Sequence, residues 1–195
     1  MLIGIVRHGQ TDWNAKGIIQ GQTDIPLNEE GISQARALAN RLSGEDAIWD
    51  AVISSDLMRA HETAKIIAEK LEIPLLAADI RLRERAFGEI EGTTESERLQ
   101  RYGSDWREQS VGRESDEAVS IRGLEAIEDL MKNEAGRNIL IVSHGSFIAR
   151  MLQVMCADLQ DTKLGNLSYS ILEREDNSWL LRLHNCTKHL EAHLA

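Results

Sequence analysis

The chain has only two cysteines, Cys156 and Cys186. Two thiols make no disulfide framework, so each reads as a small, largely buried apolar residue, and the chain suits a reducing cytosol. Positive charge is also short. Against 32 Asp and Glu stand 22 Lys and Arg, a formal net charge of -10, which argues against nucleic acid or an anionic membrane as partner. An anionic ligand must therefore be held by a local cluster of cations. No run approaches the ~18 apolar residues of a membrane span. Met1 leads straight into strand-like sequence without a basic leader, apolar signal core or cleavage site, so the expectation is a soluble, cytoplasmic protein. The four tryptophans, Trp13, Trp49, Trp106 and Trp179, lie far apart and form no stacking platform for bases. A phosphate-binding Gly-rich lysine motif and a dinucleotide fingerprint are both missing, so no nucleotide cofactor is expected.

What is present is an alternation of strand-like runs and helical periodicity over 195 residues, the pattern of one α/β domain with helices on both faces of a mostly parallel sheet. Residues 2–6 read as the first strand, followed by a loop rich in Gly, Gln, Asn and Asp over 10–27. Pro26 fixes the approach, and Asn28 is placed to cap a helix with Ile32, Ala35, Leu38, Ala39 and Leu42 on one face. Residues 51–54 predict a short buried strand. A helix follows over about 56–71, with Ala60, Ala64, Ile67 and Leu71 as core positions and Pro74 closing the unit. Residues 139–142 predict a later strand, and 147–156 a helix after it. A hairpin is expected between 168–173 and 179–184, across Glu175-Asp176-Asn177-Ser178. The stretch 91–119 is a polar excursion with short helical pieces, expected to cover the active site. Between Arg81 and Arg122 all eight basic residues are arginine, against ten acids, so it has no basic character and reads mainly as a solvated face.

Chemistry concentrates where strands end. The first strand runs into Arg7-His8-Gly9-Gln10-Thr11 and the later one into Ser143-His144-Gly145-Ser146. If the two strands are parallel, both histidines open on one sheet edge, where α/β folds hold their ligands. Ser54-Ser55-Asp56-Leu57-Met58-Arg59 puts Arg59 in the first turn of a helix, among N–H groups that favour anions. Arg7 and Arg59 are placed to clamp one anion. Glu84, flanked by Arg83 and Arg85, is either an acid or a salt-bridge partner.

Together these blocks resemble the histidine phosphatase superfamily, the phosphoglycerate mutase-like family. The signature stands at Arg7 to Thr11, its downstream Asn at Asn14, the Ser-x-x-x-x-Arg element at Ser54 to Arg59, the glutamate segment at Leu82 to Gly92, and the second histidine motif at Ser143-His144-Gly145. Five blocks in order, over roughly residues 2 to 150, make a specific match. Gln10 stands where glutamate is commoner, which leaves a hydrogen-bonding amide and alters only surrounding contacts.

The resemblance implies a three-layer α/β/α fold and a phosphomonoesterase that hydrolyses a small phosphorylated metabolite. His8 is then the nucleophile, neutral, with one ring nitrogen donating to a nearby carbonyl. Arg7, Arg59 and His144 hold the phosphoryl oxygens, with Asn14 and the backbone around Gly145 adding donors. Glu84 is the general acid. Gln20 and Gly21 line the pocket, and Arg85 is a further substrate contact or a solvent-facing charge. Tyr102 and Trp106 are placed to cover a substrate, and Trp13 to back the signature loop. Neither a metal nor a cofactor is required. His189 and His193 have helical metal-ligand spacing but no third ligand, and His61 reads as peripheral. Two rivals remain, a cofactor-dependent phosphoglycerate mutase and a non-catalytic phospholigand-binding module. The short excursion, and a chain shorter than is typical of the family's mutases, favour hydrolysis. An exposed apolar strip would permit a homodimer.

Overall fold

A computed structural model of the protein describes residues 1–45, 49–156, 159, 163–176 and 178–191. In chain order the strands are β1 (Leu2–Arg7), β2 (Ala51–Ser54), β3 (Ile139–Ser143), β4 (Tyr169–Glu175) and β5 (Ser178–Cys186). The helices are α1 (Asp12–Ala15), α2 (Glu29–Ser43), α3 (Met58–Leu71), α4 (Glu95–Tyr102), α5 (Asp116–Asn133), α6 (Gly145–Met155) and α7 (Lys188–Glu191). The sheet order is β2-β3-β1-β4-β5. β3 pairs in parallel with both β1 and β2, whereas β4 runs antiparallel to β1 and β5. Four strands thus share one direction and β4 alone opposes them.

Strand alternation makes the layers. Ile3 and Ile5 of β1, Ile53 of β2 and Ile139 and Ile141 of β3 pack with Ile127 and Leu130 of α5 and Phe147 and Ile148 of α6. Their neighbours Val6, Val52, Leu140 and Val142 point the other way, onto Leu38 and Leu42 of α2 and Ala64 and Ile67 of α3. Period-two side chains on strands buried from both sides give this continuous apolar run. Each fully buried Ile or Leu contributes about 1.5–3 kcal/mol relative to exposure.

Several boundaries differ from the sequence expectation for local reasons. Asn28 caps α2, accepting from Gly31 N at 2.9 Å. Ile32 and Leu71 are only half-buried, at the edges of their helix faces. α3 starts at Met58 rather than near Asp56, because Asp56 is held by Arg83 (2.7 and 2.5 Å) while Met58 N donates to Asp24 Oδ1 (2.8 Å). The hairpin has longer arms than expected, and Asn177 of its turn lies outside the described residues.

α5 was not anticipated from sequence. Its buried positions Val119, Gly123, Ala126, Ile127 and Leu130 do follow a helical period, but Ile121 and Leu124 are exposed and Gly123 interrupts the apolar pattern. A Cβ at Gly123 would come within 2.3 Å of Met151 Sδ and 3.0 Å of the Phe147 ring. Close α5–α6 packing is what selects glycine there.

The excursion contains α4 and a small core of its own. Ile90, Trp106 and Val111 are buried together, with Ile19, Phe87 and Tyr102 packed against them. The Arg98 and Arg107 guanidiniums lie 4.7 and 4.2 Å from the Trp106 ring centroid. Trp106 therefore anchors the excursion rather than covering a substrate. Among the described residues no helix is long and apolar enough to cross a membrane.

Candidate active site

The sheet register decides which residues meet. Arg7 pairs with Ser143, and Ser54 with Val142, so His8, His144 and Ser55 emerge at one level from three adjacent parallel strands. His8 N donates to Ser143 O (2.9 Å), and Ser55 N to Val142 O (3.1 Å). The expectation that both histidines share one sheet edge holds.

The loop after His8 is packed without space. A Cβ on Gly9 would stand 2.5 Å from Gly31 O, so the signature loop lies backbone to backbone on the first turn of α2. Gly9 N donates to Thr63 Oγ1 (3.1 Å), and Gln10 N to Gln34 Oε1 (3.1 Å). The Gln10 amide accepts from Asn28 Nδ2 (3.0 Å), tying the loop to the α2 cap. From the far end of the chain, Asn166 Nδ2 donates to His8 O (3.1 Å).

His8 Nδ1 is 2.7 Å from Gly9 O. A carbonyl only accepts, so Nδ1 carries the hydrogen and Nε2 the lone pair. Burial, and then the charges of Arg59 and Arg7, push the imidazole well below the usual histidine range. It is neutral at physiological pH. The His144 ring lies 5.1 Å away, centroid to centroid. Its Nε2 is 2.9 Å from Ser55 Oγ, and its Nδ1 is buried without a partner among the described residues. Burial and the Arg59 charge also depress its basicity.

Two guanidiniums flank these rings. Arg59, fully buried, donates to Gly21 O (2.7 Å) and Thr23 O (2.9 Å). Arg7 donates to Leu164 O (2.5 Å). Carbonyls orient both cations without neutralising them. Neither forms a carboxylate ion pair among the described residues. Burial lowers Arg7, and lowers Arg59 to about 10, the charge of Glu84 opposing the shift in each case; both remain cationic at pH 7. Desolvated, uncompensated cations of this kind are an anion site.

Glu84 is buried at the N-terminus of α6. Its Oε1 accepts from Phe147 N and Arg85 N (both 2.8 Å), and its Oε2 from Ser146 N (3.0 Å). The N–H groups just beyond Gly145, expected to serve a phosphate, are thus occupied by this carboxylate. The flanking arginines turn away. Arg83 pairs with Asp56, and Arg85 with Asp116 at 2.5 Å. Arg85 does not line the pocket; Asp116 at the start of α5 pairs with it.

Arg122 of α5 carries the Glu84 segment. It donates to the main-chain oxygens of Arg81 (2.6 Å), Arg83 (2.7 Å) and Glu84 (3.2 Å) while paired with Glu114. Arg122→Ala is expected to cost about 3 kcal/mol of stability and to lower kcat about tenfold by loosening Glu84. Thermal denaturation beside steady-state kinetics checks it, and an unchanged kcat would show Glu84 positioned without Arg122. Glu91 has a parallel duty, accepting from Gln22 N, Thr23 N and Phe87 N and so holding the loop whose carbonyls orient Arg59. Sequence reasoning assigned no role to Arg122, Glu91, Thr63 or Ser55. Only Glu91 and Ser55 fell within quoted motifs; the others show their purpose through long-range contacts.

The pocket has a volume of about 180 Å³, below the ~300 Å³ floor of drug-sized sites. Arg7, His8, Arg59, Glu84 and Ser146 line it, with Asn14, Gln20, Gly21 and apolar Ile18, Ile19 and Phe87. Asn14 Oδ1 accepts from Thr11 N (3.2 Å) and Gln20 Oε1 from Thr11 Oγ1 (3.0 Å), leaving their amide nitrogens for a ligand. No lining residue comes from 92–119. The excursion reaches the site through Glu91, and Tyr102 instead bonds Glu89 (3.4 Å). Trp13 packs over Gly92, and His61 bonds Ser54 (3.3 Å) outside the pocket. His193 lies outside the described residues, among which no His, Cys, Asp and Glu group suits a metal.

Comparison with known proteins agrees with this geometry. Residues 3–187 match the Histidine phosphatase superfamily (branch 1). The "Uncharacterized phosphatase PhoE" of Bacillus subtilis is 34% identical over 189 residues, covering 95% of each chain. A "Metal-independent phosphoserine phosphatase" of Arabidopsis thaliana is 33% identical over 199 residues, covering 97% of this chain and 83% of the relative. Among solved structures, Bacillus stearothermophilus YhfR superposes with a TM-score of 0.88 at 27% identity, over 97% of this chain and 98% of that one. With His8, Arg7, Arg59 and Glu84 lining one small pocket, His144 packed 5.1 Å from the His8 ring, and neither arginine paired with a carboxylate among the described residues, the chain belongs to the histidine phosphatase superfamily, branch 1, and is a phosphatase.

Proposed function

We propose that the protein hydrolyses a small phosphate monoester through a phosphohistidine on His8, with Glu84 as proton donor. The observation that carries this reading is the neutral His8, its Nε2 lone pair free beside the guanidiniums of buried Arg59 and half-buried Arg7, which no carboxylate neutralises among the described residues. The Nε2 lone pair attacks phosphorus as the P–O bond to the alcohol breaks. Arg7, Arg59 and His144 stabilise the charge on the equatorial oxygens, and Glu84 protonates the departing alkoxide. Water then attacks the phosphohistidine and loses a proton to Glu84. Inorganic phosphate leaves, and His8 returns to its neutral form.

Ile18, Ile19 and Phe87 add an apolar wall for the alcohol part, which suits a compact leaving group. A panel of phosphomonoesters, including phosphoserine, phosphoglycerates and sugar phosphates, is expected to release phosphate steadily. The rate is expected to be unchanged by EDTA, and rapid quenching to trap an acid-labile phosphoenzyme. Bisphosphoglycerate-primed isomerisation without net phosphate release would make the protein a mutase. Absence of any adduct with every ester would make it a binding module.

A further inference from the structure

Ser55, fully buried like His144, has two hydrogen-bond partners among the described residues. Leu57 N donates to its Oγ at 3.2 Å, and His144 Nε2 lies 2.9 Å away. A peptide N–H cannot accept, so the Ser55 hydroxyl hydrogen has one acceptor available, the lone pair of His144 Nε2. The opposite arrangement, with Nε2–H donating to Oγ, leaves two buried groups unmet, the hydroxyl hydrogen and the Nδ1 lone pair, whereas the Nδ1–H form leaves only the Nδ1 donor, which a ligand can meet.

We propose that Ser55 is a positioning residue that fixes His144 as the Nδ1–H tautomer, so that the nitrogen without a protein partner is a donor. The two histidines are then held in opposite tautomers by the simplest groups able to do so. Gly9 O accepts from His8 Nδ1 and leaves a lone pair at Nε2; Ser55 donates to His144 Nε2 and leaves an N–H at the buried Nδ1. A lone pair serves to attack phosphorus, and an N–H serves to hold a phosphoryl oxygen. Because burial and the nearby Arg59 keep His144 neutral, its donor capacity comes from tautomer choice and not from protonation. The role of that N–H rests on the phosphoryl-transfer reading above, whereas the tautomer itself does not.

The test separates the two. In ring-15N-labelled wild-type protein, long-range 1H–15N correlation is expected to show His144 protonated at Nδ1 and His8 likewise at Nδ1. Ser55→Ala is expected to convert His144 partly or wholly to the Nε2–H form and to lower kcat/KM for a phosphate ester about tenfold, one neutral hydrogen bond's worth. Ser55→Thr, which keeps the hydroxyl, is expected to restore both. An Nε2–H His144 in the wild type, or a Ser55→Ala protein with unaltered tautomer, overturns the proposal. A changed tautomer with unchanged kcat/KM overturns the donor role assigned to Nδ1–H. Absence of phosphatase activity in the wild type would remove the functional reading while leaving the tautomer measurement standing.

Discussion

His8→Ala is expected to lower kcat by about ten-thousand-fold or more while leaving the fold intact. The substitution removes the nucleophile proposed above, the Nε2 left free when Nδ1 bonds Gly9 O. What survives is the anion site, because Arg59 is held by Gly21 O and Thr23 O and Arg7 by Leu164 O, none of which involves the imidazole. Inorganic phosphate is therefore expected to bind the variant, detectably by calorimetry, while no phosphoenzyme can be trapped. The wild-type pH profile follows from the same environment. A protonated imidazole has no lone pair for attack, and His8 is held well below its ordinary range, so kcat/KM is expected to lose no activity to His8 protonation near pH 6.5. Its acid limb from this group lies lower. Near-wild-type turnover in His8→Ala would end the nucleophile assignment.

Glu84→Gln is expected to lower the rate by about 100- to 10,000-fold for esters of alkyl alcohols and far less for an activated aryl phosphate. An alkoxide leaves poorly without a proton, whereas an aryl oxide leaves unaided. The substitution has a second effect that the structure makes explicit. All three partners of the carboxylate, Phe147 N, Arg85 N and Ser146 N, are donors. A glutamine keeps one carbonyl oxygen and sets an NH2 group against an N–H, so the start of α6 is perturbed as well. Leaving-group dependence separates the causes. A Brønsted plot that steepens in the variant marks lost proton donation, whereas an equal loss across all esters would mark disturbed geometry and remove Glu84 as the acid.

Much of the site was legible because its chemistry sits at the ends of strands that announce themselves. Ile3 to Val6 and Ile139 to Val142 are too apolar to be anything but interior strands, and the residues that follow each are polar, cationic or imidazole-bearing. The helices α2 and α3 were readable for the same reason, through apolar periodicity and, for α2, the Asn28 cap. α5 was not, since Gly123 reads as a weak helix former until Met151 and Phe147 are set against it. Which way Arg85 turns was open in the sequence, between a substrate contact and a solvent-facing charge, because a sequence does not say which acid will reach an arginine; Asp116, 31 residues on, does so.

By itself, then, the order of residues determined the alternating α/β layout, the burial of the sheet on both faces and the identity of the groups brought to its edge. These follow from local periodicity and from the parallel direction it implies. Only the tertiary structure decided which charges are cancelled. Arg83 and Arg85 found carboxylates, whereas Arg7 and Arg59 found carbonyls and kept their charge for a ligand. It also decided which nitrogen of each imidazole carries its hydrogen, through Gly9 O beside His8 and Ser55 Oγ beside His144. Ion pairing and tautomer depend on distances of about 3 Å, often between residues far apart in the chain, and those distances exist only once it has folded.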